Sequence, residues 1–184
     1  LTAVNGQPAP MARDIIDHLP TNEQRSFKQA LFGTESPEER AEYVAAFDFI
    51  LDILARLHSE GVLLLPGTDL GGSFAYHREL ELFETIGLTP AEVLRRASYD
   101  MATYLGQAED LGSIEKGKYA DFFLVPGDPT RSLKELRQIR MVVSDGVVYF
   151  PSEIYPWFGI RPFSEIPQVT GVVDTSVPGT ATGN

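Results

Sequence analysis

The sequence predicts an α/β fold: the end of a (β/α) barrel followed by a small β unit. Three observations predict it. A capped amphipathic helix runs into the apolar stretch Val62–Leu65, which is too short for a helix and is bounded by turn residues. That stretch reaches Pro66-Gly67-Thr68-Asp69, a glycine pair follows, and two more helical patterns come next. From Asp121 onward, strand-like runs replace helical ones.

Composition sets the outer limits. The chain has 184 residues, 43% hydrophobic and 22% charged, which is ordinary for a soluble globular protein of one domain or slightly more. A net charge of -11 argues against binding nucleic acid or an anionic membrane through bulk charge. With no cysteine, disulfides, thiolate metal sites and cysteine nucleophiles are excluded, and the compartment stays open. No apolar run approaches the roughly 18 residues of a membrane span. Leu1-Thr2-Ala3-Val4 has neither the charged nor the apolar region of a signal peptide, and no initiator Met stands before it. The expectation is a chain that begins partway through a longer gene product.

The elements follow in order. Residues 1–13, with Gly6, Pro8 and Pro10, show no period and read as irregular or a strand remnant. Thr21, three residues before Gln24, suggests a capping box and a short helix ending near Gly33. Ser36-Pro37-Glu38-Glu39 starts a stronger helix: a capping serine, a proline in the first turn and a closing glutamate. Its apolar face is Tyr43, Val44, Phe47, Ile50, Leu51, Leu54 and Leu57, and Gly61 stops it. Val62–Leu65 reads as a strand buried on both faces. "FAYHRELELFETIG" reads as a helix ending at Gly87. Thr89-Pro90-Ala91-Glu92 caps another, with Val93, Leu94, Ala97, Met101 and Leu105 as its apolar face and Gly106 at its end. Asp121–Val125 is strand-like, and Asp145-Gly146 inside "IRMVVSDGVVYF" is a two-residue hairpin signal. The proline-rich, aromatic stretch from Pro151 reads as a wrapping segment, and "DTSVPGTATGN" as extended or disordered. The division is 1–110 for the barrel part, 111–150 for the β unit and 151–184 for the tail.

Asp69 is the first candidate site residue. In (β/α) barrels catalytic groups sit at the C-terminal ends of strands, and Asp69 stands at that position. The alternative is a carboxylate that only orders its loop. Gly71, Gly72 and Ser73 let a loop approach a ligand closely, or merely connect. His77, on the following helix, either reaches substrate or supports the site from behind; the plainer alternative is a half-buried helix histidine, and Tyr76 beside it is a lesser pocket candidate. His18 and His58 read as surface or structural residues; His58 suits the C-terminal end of a helix dipole. Glu38-Glu39 and Glu79/Glu81/Glu84 read as first-turn or solvated positions, and Asp121 and Asp128 as turn-ordering residues. No Rossmann or P-loop spacing accompanies Gly71-Gly72, which makes phosphate binding a poor reading.

"GVLLLPGTD", "HRELELFETIGLTPAEVLRRASYDMATYLG", "LGSIEKGKYADFFLVPGDP" and "IRMVVSDGVVYF" together resemble the C-terminal portion of the metal-dependent amidohydrolase superfamily. The nearest branch is the imidazolonepropionase-like and Xaa-Pro dipeptidase-like one, and the resemblance covers roughly residues 36–151. "GTD" is a weak signal alone, whereas "GSIExGKxAD" followed by the "VxDG" hairpin is specific. The resemblance implies a distorted (β/α)8 barrel with a β-sandwich subdomain and one or two divalent metals, usually zinc. It implies hydrolysis of a C–N bond in a cyclic amide or dipeptide-like substrate. By the same resemblance Asp69 contacts the metal or its water and shuttles the proton to the leaving amine. The family's other ligands, an HxH pair, a mid-barrel lysine or glutamate and two later histidines, have no match here, where the only histidines are His18, His58 and His77. A complete barrel takes about 250 residues. The resemblance therefore implies a chain inactive alone, whose partner is the N-terminal half of the same barrel, in the same gene product or a separate chain. Relatives also commonly form homo-oligomers. A non-catalytic scaffold fragment is the competing reading.

Overall fold

The computed structural model describes residues 7–29, 36–69 and 73–167. It is mixed α/β. Two 3-10 turns, Pro10–Ala12 and Ile16–His18, lead into α1 (Thr21–Phe27). The capping box expected at Thr21 is absent: Pro20 holds the cap position, and Gln24 Nε2 donates to the Leu19 carbonyl at 2.8 Å. The expected end near Gly33 lies outside the described residues.

Helix α2 (Pro37–Ser59) starts as its sequence dictates, with Ser36 Oγ accepting from the Glu39 N–H at 3.1 Å. It ends in a paired lock, Val62 N–H to Leu57 O and Gly61 N–H to His58 O, the C-terminal arrangement that uses orphan carbonyls. Its predicted apolar face is only partly used. Leu51, Leu54 and Ala55 pack on the core. Tyr43, Val44, Ile50 and Leu57 are exposed, with Ile50 at 53%. The apolar residues form a stripe wider than the core beside it, so half of that stripe faces outward.

Helix α3 (Ser73–Thr85) and α4 (Pro90–Arg95) follow, and α4 continues through a π turn, Arg96–Asp100, into α5 (Met101–Tyr104). Thr89 and Glu92 form a complete reciprocal capping box. Leu80, Phe83, Ile86, Leu88, Val93, Leu133 and Leu136 form the main core, with Val93 wholly buried. Leu105, expected on the inner face, is instead exposed just beyond the last turn of α5.

The β unit is one antiparallel sheet of three strands in the order β1 (Phe122–Leu124), β2 (Met141–Ser144), β3 (Val147–Tyr149). Phe122 pairs with Val143, and Val143 with Val148. Asp145 (φ 49°) and Gly146 (φ 73°) make the primed hairpin turn their dipeptide predicts. Asp121 accepts from the Asp145 N–H, and Asp128 from the N–H and hydroxyl of Thr130, so both order turns. The turn Leu133–Gln138 carries the β unit onto α3 through its buried Leu133 and Leu136. The tail segment closes over the N-terminal turns: Arg161 N–H donates to His18 O at 2.7 Å, and Phe163 stacks on the His18 ring at 3.9 Å.

One predicted element does not form. Val62–Leu65 has no regular secondary structure, and Val62 and Leu63 are 44% and 50% exposed. A strand is defined by its neighbours' hydrogen bonds, and no strand among the described residues lies beside this one.

Candidate functional site

The apolar stretch is covered in its middle, at Leu64, Leu65 and Pro66, and exposed at both ends. Leu64 packs on the main core and Pro66 is buried, whereas Leu63 and Gly67 on either side of them are exposed. Asp69 is exposed, as are Gly67 and Thr68 before it, beyond the covered residues Leu64, Leu65 and Pro66. Thr68 lines a cavity of about 270 Å³ together with Pro10, Met11, Phe47, Ala75 and Arg78.

Gly71 and Gly72, the two candidate loop contacts, lie outside the described residues. His77 lies on the packed side of α3. Phe74 meets its ring edge-on at 6.4 Å, and its Nδ1 is buried with no hydrogen-bond partner among the described residues. Burial, and then the Arg137 charge, hold its pKa below the ordinary histidine value, against a smaller pull from Glu81. These surroundings are those of a neutral, half-buried helix histidine. Tyr76 contributes to the main core, and burial and Glu79 raise its pKa.

An ion-pair chain that spacing gave no hint of stands beside His77. Arg137, whose side chain is 9% exposed, donates through Nη1 to Asp14 Oδ2 at 2.7 Å and through Nη2 to Glu81 Oε1. Glu81 Oε2 accepts from Arg78 Nη1 at 3.0 Å, and Lys134 Nζ approaches Asp14 at 3.6 Å. Glu81, read from sequence as solvated, is thus an inward carboxylate held by two guanidiniums. The partners lie 56 and 123 positions from Arg137, too far for any local pattern to reveal. A second, local cluster holds Asp100 (9% exposed) between Arg95 and Arg96 on the π turn.

Among the described residues, no three histidine, aspartate or glutamate side chains come together as a metal-binding group. Asp69 alone does not make a metal centre, and the residues described do not fit a resident metal by themselves. No helix among them is long and apolar enough to cross a membrane.

A model of the amidohydrolase family matches residues 21–149. Among solved structures, a Xaa-Pro dipeptidase with methionine bound in its active site is 28% identical, over 55% of this chain and 25% of its own, with a TM-score of 0.52. An amidohydrolase is 31% identical, over 54% of this chain and 25% of its own, with a TM-score of 0.50. An uncharacterized protein covers 74% of this chain and 33% of its own at 22% identity and a TM-score of 0.52, a likeness of fold alone. No curated protein sequence matches. The chain spans a quarter to a third of the length of these structures.

Proposed function

The chain belongs to the amidohydrolase family, and we propose that it supplies the acid–base carboxylate, Asp69, of a hydrolase that cleaves C–N bonds. The carrying observation is that Asp69 is exposed at the end of an apolar segment that docks on the helices through Leu64 and Pro66 and leaves Val62 and Leu63 bare. In the (β/α)8 arrangement proposed here the bare residues of that segment meet the neighbouring strands, and Asp69 stands at the barrel mouth. Asp69 accepts a proton from the attacking water, the water oxygen bonds to the amide carbon, and the C–N bond breaks as the proton passes to the leaving amine. Members of the family generally use divalent metals. Here we assign the ligands, most simply zinc ligands, to segments outside the described residues.

The partner is the remaining part of the barrel. The outward stripe of α2, with Tyr43, Ile50 and Leu57, and the bare face of Leu63 are the surfaces it covers. The substrate class is a dipeptide-like or cyclic amide, supported by the Xaa-Pro dipeptidase among the similar structures. The test begins with native mass spectrometry, which should find this chain with its N-terminal complement. That assembly is then assayed on a panel of Xaa-Pro dipeptides and cyclic amides. Asp69→Asn should lower kcat by about 100-fold or more while leaving the assembly's mass unchanged. Turnover in the variant equal to wild type sinks the assignment. A lone, inert monomer favours the scaffold reading.

A further inference from the structure

We propose that the turn Tyr155–Phe158 and the cavity beside it form a two-fold interface, in which Trp157 of each copy of the chain enters the cavity of the other. This inference does not depend on the role of Asp69.

The N-terminal turns, α1, the first turn of α3 and the turn Tyr155–Phe158 line a cavity of about 570 Å³. Its walls are largely aromatic, from Phe27, Phe74, Tyr155 and Phe158, and Glu23 is the one charged residue among the described residues that line it. On a 3-10 turn, residues three apart share a side. Tyr155 and Phe158 therefore both face the cavity, while Trp157 between them is 83% exposed to solvent. The turn is held in shape. Gly159 closes it at φ 69° and donates its N–H to the Pro156 carbonyl at 3.0 Å, and the Ile160 N–H donates to Tyr155 O at 3.0 Å. An aromatic side chain on a fixed turn loses little freedom when it is buried, and tryptophan is enriched among interface anchors.

The occupant is a second copy because projection and recess lie side by side on one patch, and the charges around them are self-complementary. A two-fold interface sets the same patch against itself, so a projection must meet a recess that lies next to it. Glu23 stands at the cavity, and the exposed Arg161 follows Ile160, which also lines it. Glu23 accepts only from its neighbour Asn22, at 3.2 Å, and neither it nor Arg161 has an ion-pair partner among the described residues. Rotation about an axis between Trp157 and the cavity sets Glu23 of one copy against Arg161 of the other, and the reverse. The indole N–H needs an acceptor once buried, and the Glu23 carboxylate offers one. An interface centred on one turn is small, under about 1,200 Å² in total, so the dimer is weak and concentration-dependent. The outward stripe of α2 and Leu63, given above to the rest of the barrel, take no part in it.

The test is analytical ultracentrifugation of the chain in the form in which it purifies, alone or with its complement, across the micromolar range. The mass should double with concentration. The Trp157 emission, read as the difference from Trp157→Phe, should move to the blue over the same range. Trp157→Ala should weaken dimerisation by about 30-fold or more. At 83% exposure that change leaves the fold intact. Glu23→Arg and Arg161→Glu should each weaken it by about ten-fold or more, and the two together should restore it to within about three-fold of wild type. Tyr104→Ala, at an α5 residue 72% exposed and outside the patch, should change nothing. A mass that never doubles overturns the proposal. So does a dimer that Trp157→Ala leaves intact, or a charge swap that fails to rescue. A Trp157 emission already blue at the lowest concentration, with no dimer, would give the patch to the N-terminal complement or to another partner, and would rule out the second copy.

Discussion

Replacing Gly112 by alanine should destabilise the protein more than a single-methyl addition at any other glycine of positive φ among the described residues. Gly112 has φ +86°, a region where a side chain costs about 1–2 kcal/mol. A Cβ built there would lie 2.7 Å from Ala102 Cβ, 3.0 Å from Tyr99 Cα and 3.1 Å from the Ser98 carbonyl oxygen. All three belong to the helical run from the π turn into α5, two of them are backbone atoms, and none is the tip of a side chain that can swing away. Overpacking of this kind adds about 1–3 kcal/mol. The sum is about 2–5 kcal/mol. Gly146 supplies the internal control: its φ is +73°, and nothing lies within 4 Å of the place a methyl would take. Gly146→Ala should therefore cost only the backbone part, about 1–2 kcal/mol. Urea denaturation of the assembly reads the difference; with m about 2 kcal/mol/M, Gly112→Ala should lower the midpoint by about 1–2.5 M. Equal midpoints for the two variants would refute the packing argument. They would mean that the loop around Gly112 shifts away from the helix at no cost.

Three further outcomes follow from single contacts. Val93→Ala, at a fully buried position, should cost about 1–3 kcal/mol in the same denaturation assay. Thr89→Ala removes a complete capping box and should cost about 1 kcal/mol, with Thr89→Ser recovering most of it. His77 has a folded pKa below its unfolded value of 6.5, because burial and Arg137 disfavour the imidazolium. Its neutral form thus adds stability that is complete above pH 6.5 and declines as pH falls toward the lowered folded value. His77→Gln should flatten that part of the stability–pH curve; an unchanged slope would place the titration elsewhere. Asp14 behaves alike at lower pH: Arg137 lowers its pKa from 3.8, so its contribution is complete above that value and is lost on further acidification.

The parts legible in the sequence are those decided within a few residues. Ser36 and Thr89 cap the helices they precede because a hydroxyl reaching an N–H three residues on is a local event. Asp145-Gly146 makes its hairpin turn because the dipeptide tolerates positive φ at both positions. Asp121 and Asp128 order turns for similar reasons. Thr21 failed as a cap because Pro20 took the position and Gln24 found the Leu19 carbonyl instead. The Asp14–Arg137–Glu81–Arg78 chain was beyond reach, since three distant segments must first dock before any of its charges become neighbours. Glu81 looks, by spacing alone, like any solvated glutamate on an amphipathic helix.

Val62–Asp69 lies between these cases, and its behaviour bears on function. Its composition specifies a strand buried on both faces, but a strand is a property of a sheet and not of a segment. Where one face finds the helices, the sequence pattern is obeyed: Leu64 joins the core and Pro66 is buried. Where the stretch finds no neighbour among the described residues, Val62 and Leu63 stay about half exposed and the ladder is missing. A wholly structural strand would have no reason to carry aliphatic residues on an open face and then end that face in a carboxylate. Asp69, at the far end of the stretch, is exposed as well. The barrel proposed above gives both features one explanation: the exposed part of the stretch is an interior surface that its other strands cover, and Asp69 is the charged group at its rim.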